Sequence, residues 1–276
     1  MSDFRRILTV AAQVRRERLA GIRIRIMLPI LLLFLPGMAW GFSDPNIVLP
    51  GNHQPDTPME VLFYASLGVV FGATMCAVLM AFDGVSKDRA SGMLEVRLAQ
   101  PMPRKHQATA LVLGHAQSIL IPVYVLVCCS VVVVRIRLGA WPEVGELLVY
   151  GLSTGLVVVW YTLFALLAST TAKEQGTAMD FGIGVWFFFT FLWALVTTMV
   201  AYASGVAVGV ENDPGWVFLE GVLDLFSPNG VYHHLLETQL PTVDRGVPAW
   251  QSWFAALIWT VLPWWALHKR MEGLVP

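Results

Sequence analysis

Charge is what this sequence has least of. Lysine, arginine, aspartate and glutamate make up 13% of its 276 residues, against 56% hydrophobic ones, and the mean hydropathy is +0.64. A soluble domain carries about a quarter of its residues charged, so an ordinary aqueous globule is excluded and an integral membrane chain remains. The net charge of -1 leaves no basic surplus, so no nucleic-acid partner is expected. Cysteine is scarce too. Cys76, Cys128 and Cys129 all lie inside apolar runs, offer no disulfide framework and read as packing residues. No cleavable signal peptide is expected, because the first apolar run starts near Ile26, behind a charged segment and without a small-residue cleavage site.

Several reaction chemistries are missing as well. There is no G-x-x-x-x-G-K-[ST] phosphate loop, so the chain lacks that cradle for ATP. There is no H-E-x-x-H pair, and no two aspartates fall inside separate apolar runs. Gly151-Leu152-Ser153-Thr154-Gly155 does fit G-x-S-x-G. That motif works on a strand-turn-helix elbow, or with a histidine on a later span, and neither is on offer here. Met75, Cys76 and Met80, with Cys128, Cys129 and Met199 elsewhere, are soft donors that suit Cu(I) and are equally ordinary fillers of apolar packing. No catalytic, cofactor or metal site is therefore assigned in this chain.

What the sequence does have is a series of apolar runs of the length a bilayer requires, roughly 20 residues each. They fall at 26–42, 59–82, 109–134, 147–168, 183–208 and 250–268, which predicts an all-α integral membrane fold with six transmembrane helices in one domain, 1–276. Ahead of them, residues 1–25 carry seven arginines with apolar residues spaced by three and four. This predicts an amphipathic interfacial helix whose Arg5, Arg6, Arg15 and Arg16 face anionic membrane lipids. Lysine and arginine total fifteen on that side of the predicted spans and three (Arg135, Arg137, Arg245) on the other. By the positive-inside rule both termini are cytoplasmic, in the plasma (cell inner) membrane.

Residues 83–106, DGVSKDRASGMLEVRLAQPMPRKH, form the longest well-charged stretch between two apolar runs. They read as a loop in water carrying one short helix. Ser86 is placed to cap it, Asp88 sits in its first turn, and Pro101 and Pro103 stop it. Met93, Leu94, Val96 and Leu98 give it an apolar side.

The run Ser91-Gly92-Met93-Leu94-Glu95, then Leu98-Ala99-Gln100-Pro101 and Pro103-Arg104-Lys105, resembles the signature that follows the second span of ABC-2 type transporter permeases. Ala90 departs from it, where the family often has an acidic residue. The resemblance implies that this segment is a coupling helix seated in a groove of a separate cytoplasmic ABC ATPase, with Lys87, Asp88, Arg89, Gly92, Leu94, Glu95, Arg97, Pro101 and Arg104 as coupling residues. ATP and Mg would be held by that subunit, and this chain would be no enzyme. A six-span chain would be half a transporter, completed by a second copy of itself. Lys173-Glu174-Gln175-Gly176, Gly184-Val185-Trp186-Phe187 and Ser227-Pro228-Asn229-Gly230-Val231-Tyr232 narrow the resemblance to permeases of nitrous-oxide reductase maturation transporters. That branch implies a periplasmic protein partner and copper or sulfur delivery.

Residues 210–249 are too apolar for a free loop and too short to cross, and predict external interfacial or re-entrant helices between spans five and six. Trp216, Phe226, Tyr232 and His233 are the candidates there for an external partner or gate. Gly68 and Gly72, Gly151 and Gly155, and Gly205 and Gly209 are small residues four apart, suited to close helix packing. His115 and Gln117 are polar inside the third run and either line a pathway or bond a neighbouring helix. Three functions stay open on these residues: an exporter of a lipid, drug or peptide; a subunit passing ATP-driven motion to an external partner; and a motor-free scaffold.

Overall fold

The computed structural model describes residues 3–49, 53–99, 101–208, 213–241 and 243–274. Among them every regular element is helical and no strand is formed. That is the outcome lipid demands, since a lone helix satisfies its own backbone where water is absent.

The first helix, α1 (Asp3–Ala20), turns at Gly21 into α2 (Ile22–Leu32), which runs through a π turn at Leu33–Gly37 into α3 (Met38–Phe42). The next span is α4 (Pro58–Ala65), a π turn at Val69–Ala73 and α5 (Thr74–Ala81). Thr57 and Glu60 form a capping box at its start. Two short helices, α6 (Ser86–Ala90) and α7 (Leu94–Leu98), lead to α8 (Arg104–Leu138) and α9 (Val144–Thr171). The fifth long helix joins α10 (Gln175–Phe187), a π turn at Phe188–Leu192 and α11 (Trp193–Ala203). Then come α12 (Pro214–Asp224), α13 (Pro228–Glu237) and α14 (Ala249–Glu272).

Five of these helices are long and apolar enough to cross a membrane: Ile22–Phe42, Pro58–Ala90, Arg104–Leu138, Val144–Thr171 and Gln175–Ala203. α14 has the length, but five tryptophans and its polar ends dilute its hydropathy. Three boundaries differ from the sequence reading. The fifth helix starts at Gln175 and ends at Ala203, earlier than 183–208. Gly205, at φ +71°, terminates it, and Gly209 lies outside the described residues. Arg135 and Arg137 belong to the last turn of α8, where cations suit the helix C-terminus.

α9 is the central column and packs against α5, α8, α10, α13 and α14. Its Trp160, Tyr161, Leu163 and Leu166 are fully buried. Gly68 and Gly72 bring the second span onto the first: a Cβ on Gly68 would lie 1.9 Å from the Phe34 carbonyl oxygen, and one on Gly72 would lie 2.9 Å from the Phe34 Cβ. In the other pair, Gly155 meets Tyr124 while Gly151 faces open space. Cys76 is buried, but Cys128 and Cys129 are exposed on α8, which corrects the expectation that all three pack inside.

Candidate functional site

The charged stretch folds as two helices, where the sequence reading has one. Gly92 separates α6 from α7 at φ +70°, a conformation that costs glycine nothing. Ser86 caps nothing. Val85 holds the cap position, and the Ser86 hydroxyl donates to the Phe82 carbonyl. Asp83, Gly84, Val85 and Ser86 are buried, which corrects the expectation that the whole stretch lies in water.

Of the nine predicted coupling residues, Arg89, Leu94 and Arg104 fasten this segment to the bundle, and Asp88 and Arg97 brace it internally. The Val85 and Ser86 amides both donate to the Ser169 hydroxyl near the end of α9, each at 2.9 Å. Arg89 donates to the carbonyls of Thr170, at 3.1 Å, and Ala172, carbonyls that the end of α9 leaves without helical donors. Arg97 pairs with Asp88 and donates to the Gly84 carbonyl at 3.2 Å. Arg104 donates to the carbonyls of Glu272, at 2.9 Å, and Leu274, tying α8 to the end of α14. Leu94 is buried. Lys87, Gly92, Glu95 and Pro101 stay exposed, as do Met93 and Val96 at 54% and 59%. Gln100 lies outside the described residues. The free tip is thus Lys87, Met93, Glu95 and Val96 around Gly92. A cleft of about 380 Å³ beside it is walled by Val10, Gln13 and Glu17 of α1.

Beneath the tip, Asp83 accepts from Arg18 of α1 at 2.6 Å and pairs with Arg23 of α2 at 2.9 Å. The Arg23 guanidinium also lies 4.7 Å from the Phe82 ring centre. Of the four arginines assigned to the membrane surface, Arg5 and Arg16 are exposed. Arg6 donates to the Pro101 carbonyl at 2.8 Å, and Arg15 donates to the Gln117 side-chain oxygen at 3.1 Å. The helix docks α8 closely, since a Cβ on Gly114 would lie 2.6 Å from the Val14 Cβ. His115 is buried beneath Gly84 and its Nδ1 donates to the Leu111 carbonyl at 2.9 Å. Sequence reasoning missed Asp83 as an ion-pair centre. Its one signal was position, immediately after an apolar run.

At the opposite end, Ser227 caps α13 and Pro228 opens it, so the chain breaks just before the proline. α13 is almost wholly buried, whereas in α12 only Gly221 is. Asn229 accepts from the Tyr161 hydroxyl at 2.9 Å and donates to the Phe189 carbonyl and Thr190 hydroxyl, both at 3.2 Å. Tyr232 is buried with its hydroxyl 3.2 Å from that of Thr154. His233 lies 5.8 Å from the Phe63 ring and, with Trp193, Trp216, Glu220 and Asp224, lines a cavity of about 220 Å³. Phe226 is 63% exposed.

Arg245, which the sequence offered only as an outer charge, joins this end together. It contacts Glu237 at 2.5 Å, Asp224 at 3.2 Å and Glu220 at 3.6 Å. Burial pushes the Asp224 carboxyl up to about 7 despite Arg245, with Glu220 and Glu237 adding to the rise. Burial raises Glu237 as well, against Arg245. Burial and Arg245 hold His233 and His234 down at about 4, so both are neutral at pH 7. His234 bonds the Gly221 carbonyl at 3.0 Å, which ties α13 to α12.

A sequence profile described as ABC-2 family transporter protein matches residues 15–266. The chain is 26% identical, over 93% of its length and 96% of the relative's, to the "Probable ABC transporter permease protein NosY" of Stutzerimonas stutzeri. A protein of the same description from Pseudomonas aeruginosa is 26% identical over 77% of this chain and 78% of its own. With its bundle of membrane-length helices and that match across most of its length, this chain belongs to the ABC-2 family and is a multi-pass transporter permease.

Proposed function

We propose that this permease docks a cytoplasmic ABC ATPase on the tip around Gly92 and passes ATP-driven motion through α9 to α12 and α13. The observation that carries this reading is that one helix is bonded to both ends. Near its end α9 accepts from Arg89 and, through Ser169, from the Val85 and Ser86 amides, while Tyr161, eight residues before Ser169, and Thr154, fifteen before it, bond to α13. A helix of that length spans roughly 22 Å and transmits displacement as a rod.

ATP and Mg belong to the ATPase, and this chain supplies docking and transmission. α14 makes the sixth crossing, both termini are cytoplasmic by the arginine count, and Arg5 and Arg16 lie on the inner leaflet. A second copy completes the transporter, joined through the fifth long helix, whose membrane face leaves Phe181, Phe187, Phe191 and Leu195 exposed. The packed interior around Trp160 and Leu166 favours transmission to an extracytoplasmic protein seated on α12, with Trp216 and Phe226 at the contact, over export through the single chain. The likeness to NosY permeases supports a role in maturing the copper site of nitrous-oxide reductase.

The test is co-purification in mild detergent with the products of neighbouring genes. Lys87→Glu with Glu95→Lys changes only exposed tip residues and is expected to lose the ATPase while the chain's thermal midpoint holds. An ATPase that still binds this variant removes the tip from the interface, and no ATPase with the unaltered chain ends the reading.

A further inference from the structure

Phe188–Leu192 is a π turn in the middle of the fifth long helix, with no proline or glycine in its sequence to impose one. In α-helical register the Phe189 carbonyl takes the Trp193 amide; a π turn moves the donors along by one residue, and such a register change leaves a carbonyl to be satisfied from outside. Asn229 does this. Its Nδ2 donates to the Phe189 carbonyl and the Thr190 hydroxyl, while its Oδ1 accepts from Tyr161 of α9. The whole amide is used up by one turn of the fifth helix and one side chain of the central column.

We propose that Asn229 is a latch, and that the π register of Phe188–Leu192 and the docked position of α13 are two halves of one state. If the turn converts to α register, the Phe189 carbonyl gains the Trp193 amide and Asn229 loses its acceptor. The start of α13 is then free. The same conversion turns the face of α11 by roughly 100°, which carries Trp193 and Thr197 out of the wall of the 220 Å³ cavity. α12 follows α13, because Gly230 leaves no room between them: a Cβ there would lie 2.4 Å from the Asp224 carbonyl oxygen. The latch therefore releases α12 and α13 as a pair. It deepens the reading of this end as a gate or partner surface and rests on that reading for its purpose, but the coupling of the two states stands without it.

The experiment uses the full chain in lipid nanodiscs, with Cys76, Cys128 and Cys129 replaced by serine and the buried Val231 changed to cysteine, reacted with a water-soluble maleimide. With Asn229 present the thiol reacts slowly. Asn229→Ala, and at pH 8 Asn229→Asp, which keeps an acceptor for Tyr161 but has no N–H to give, are each expected to raise the rate at least tenfold. Tyr161→Phe leaves both donors in place and has a much smaller effect. Deletion of Phe188, which removes the extra residue of the π turn, is expected to reproduce Asn229→Ala, and the two combined to add nothing further.

The latch is overturned if Asn229→Ala and Asn229→Asp leave the rate unchanged, if Tyr161→Phe matches them, or if the deletion and Asn229→Ala multiply as independent effects. Should the deletion chain fail to fold, the three point variants decide alone. No ATPase enters this assay. A chain that shows the latch yet binds no ATPase keeps this inference and loses the proposed function, and the opposite result does the reverse.

Discussion

Arg18 and Asp83 meet at 2.6 Å where α1 passes the end of the second span, with Asp83 only 3% exposed and Arg18 18%. Arg23 closes on the other carboxylate oxygen from the far side of the Gly21 turn. One carboxylate thus fixes the angle between α1 and α2, three residues ahead of α6.

Asp83→Ala is expected to leave two guanidinium groups facing a carboxylate-free pocket. Removing one partner of a fully buried pair costs about 3–5 kcal/mol; Arg23, 36% exposed, keeps part of its hydration, so about 2–3 kcal/mol is expected here. Denaturant titration in detergent reads this directly. Asp83→Glu is expected to recover most of the loss, and a variant as stable as the parent would show that the pair is not fixing α1.

Glycine substitutions separate packing from flexibility. Gly68→Ala is expected to push the first span off the second, because the new Cβ would overlap the Phe34 carbonyl and neither backbone has room to retreat. Gly92→Ala meets nothing within 4 Å and suffers only from its positive φ, a cost of roughly 1–2 kcal/mol. Thermal midpoints in one detergent should therefore fall far more for Gly68→Ala. ATPase binding, by contrast, should respond to Gly92→Ala, which reshapes the tip.

The same contrast shows what could be read beforehand. Five of the spans, the close approach at Gly68 and Gly72 and the charged segment follow from periodicity and composition, because lipid leaves the backbone few options. The partners of the arginines did not follow. Arg89, Arg97 and Arg104 look like surface charges in sequence, yet each ends on a backbone carbonyl supplied by a helix terminus or a turn. Only the folded arrangement reveals which carbonyls are left open. For the same reason Asn229 and the π turn were invisible as a pair: they lie 39 or 40 residues apart, and nothing in Phe-Phe-Thr-Phe-Leu announces a widened turn.

Asp224 gives the α12 and α13 pair a dependence on pH. Its folded value of about 7 lies above the ordinary 3.8, so between those values the folded chain holds a proton that the unfolded chain has lost. Stability from this group therefore falls as pH rises from 4 towards 7, and is level above. Arg245, Glu220, Glu237 and the Trp193 indole face it. His233 and His234 act with the opposite sign: their folded values near 4 lie below the ordinary 6.5, so they lose stability as pH falls below 6.5. A scan of the parent alone would mix the two. In Asp224→Asn the histidine contributions remain while the asparagine imitates the protonated carboxyl, so the difference between the two chains isolates Asp224. At pH 8 the variant is expected to have the higher thermal midpoint, by pH 5.5 the gap should shrink to about half, and the two should converge only near pH 4. A gap that stays constant across that range would mean Asp224 is charged throughout, fully balanced by Arg245.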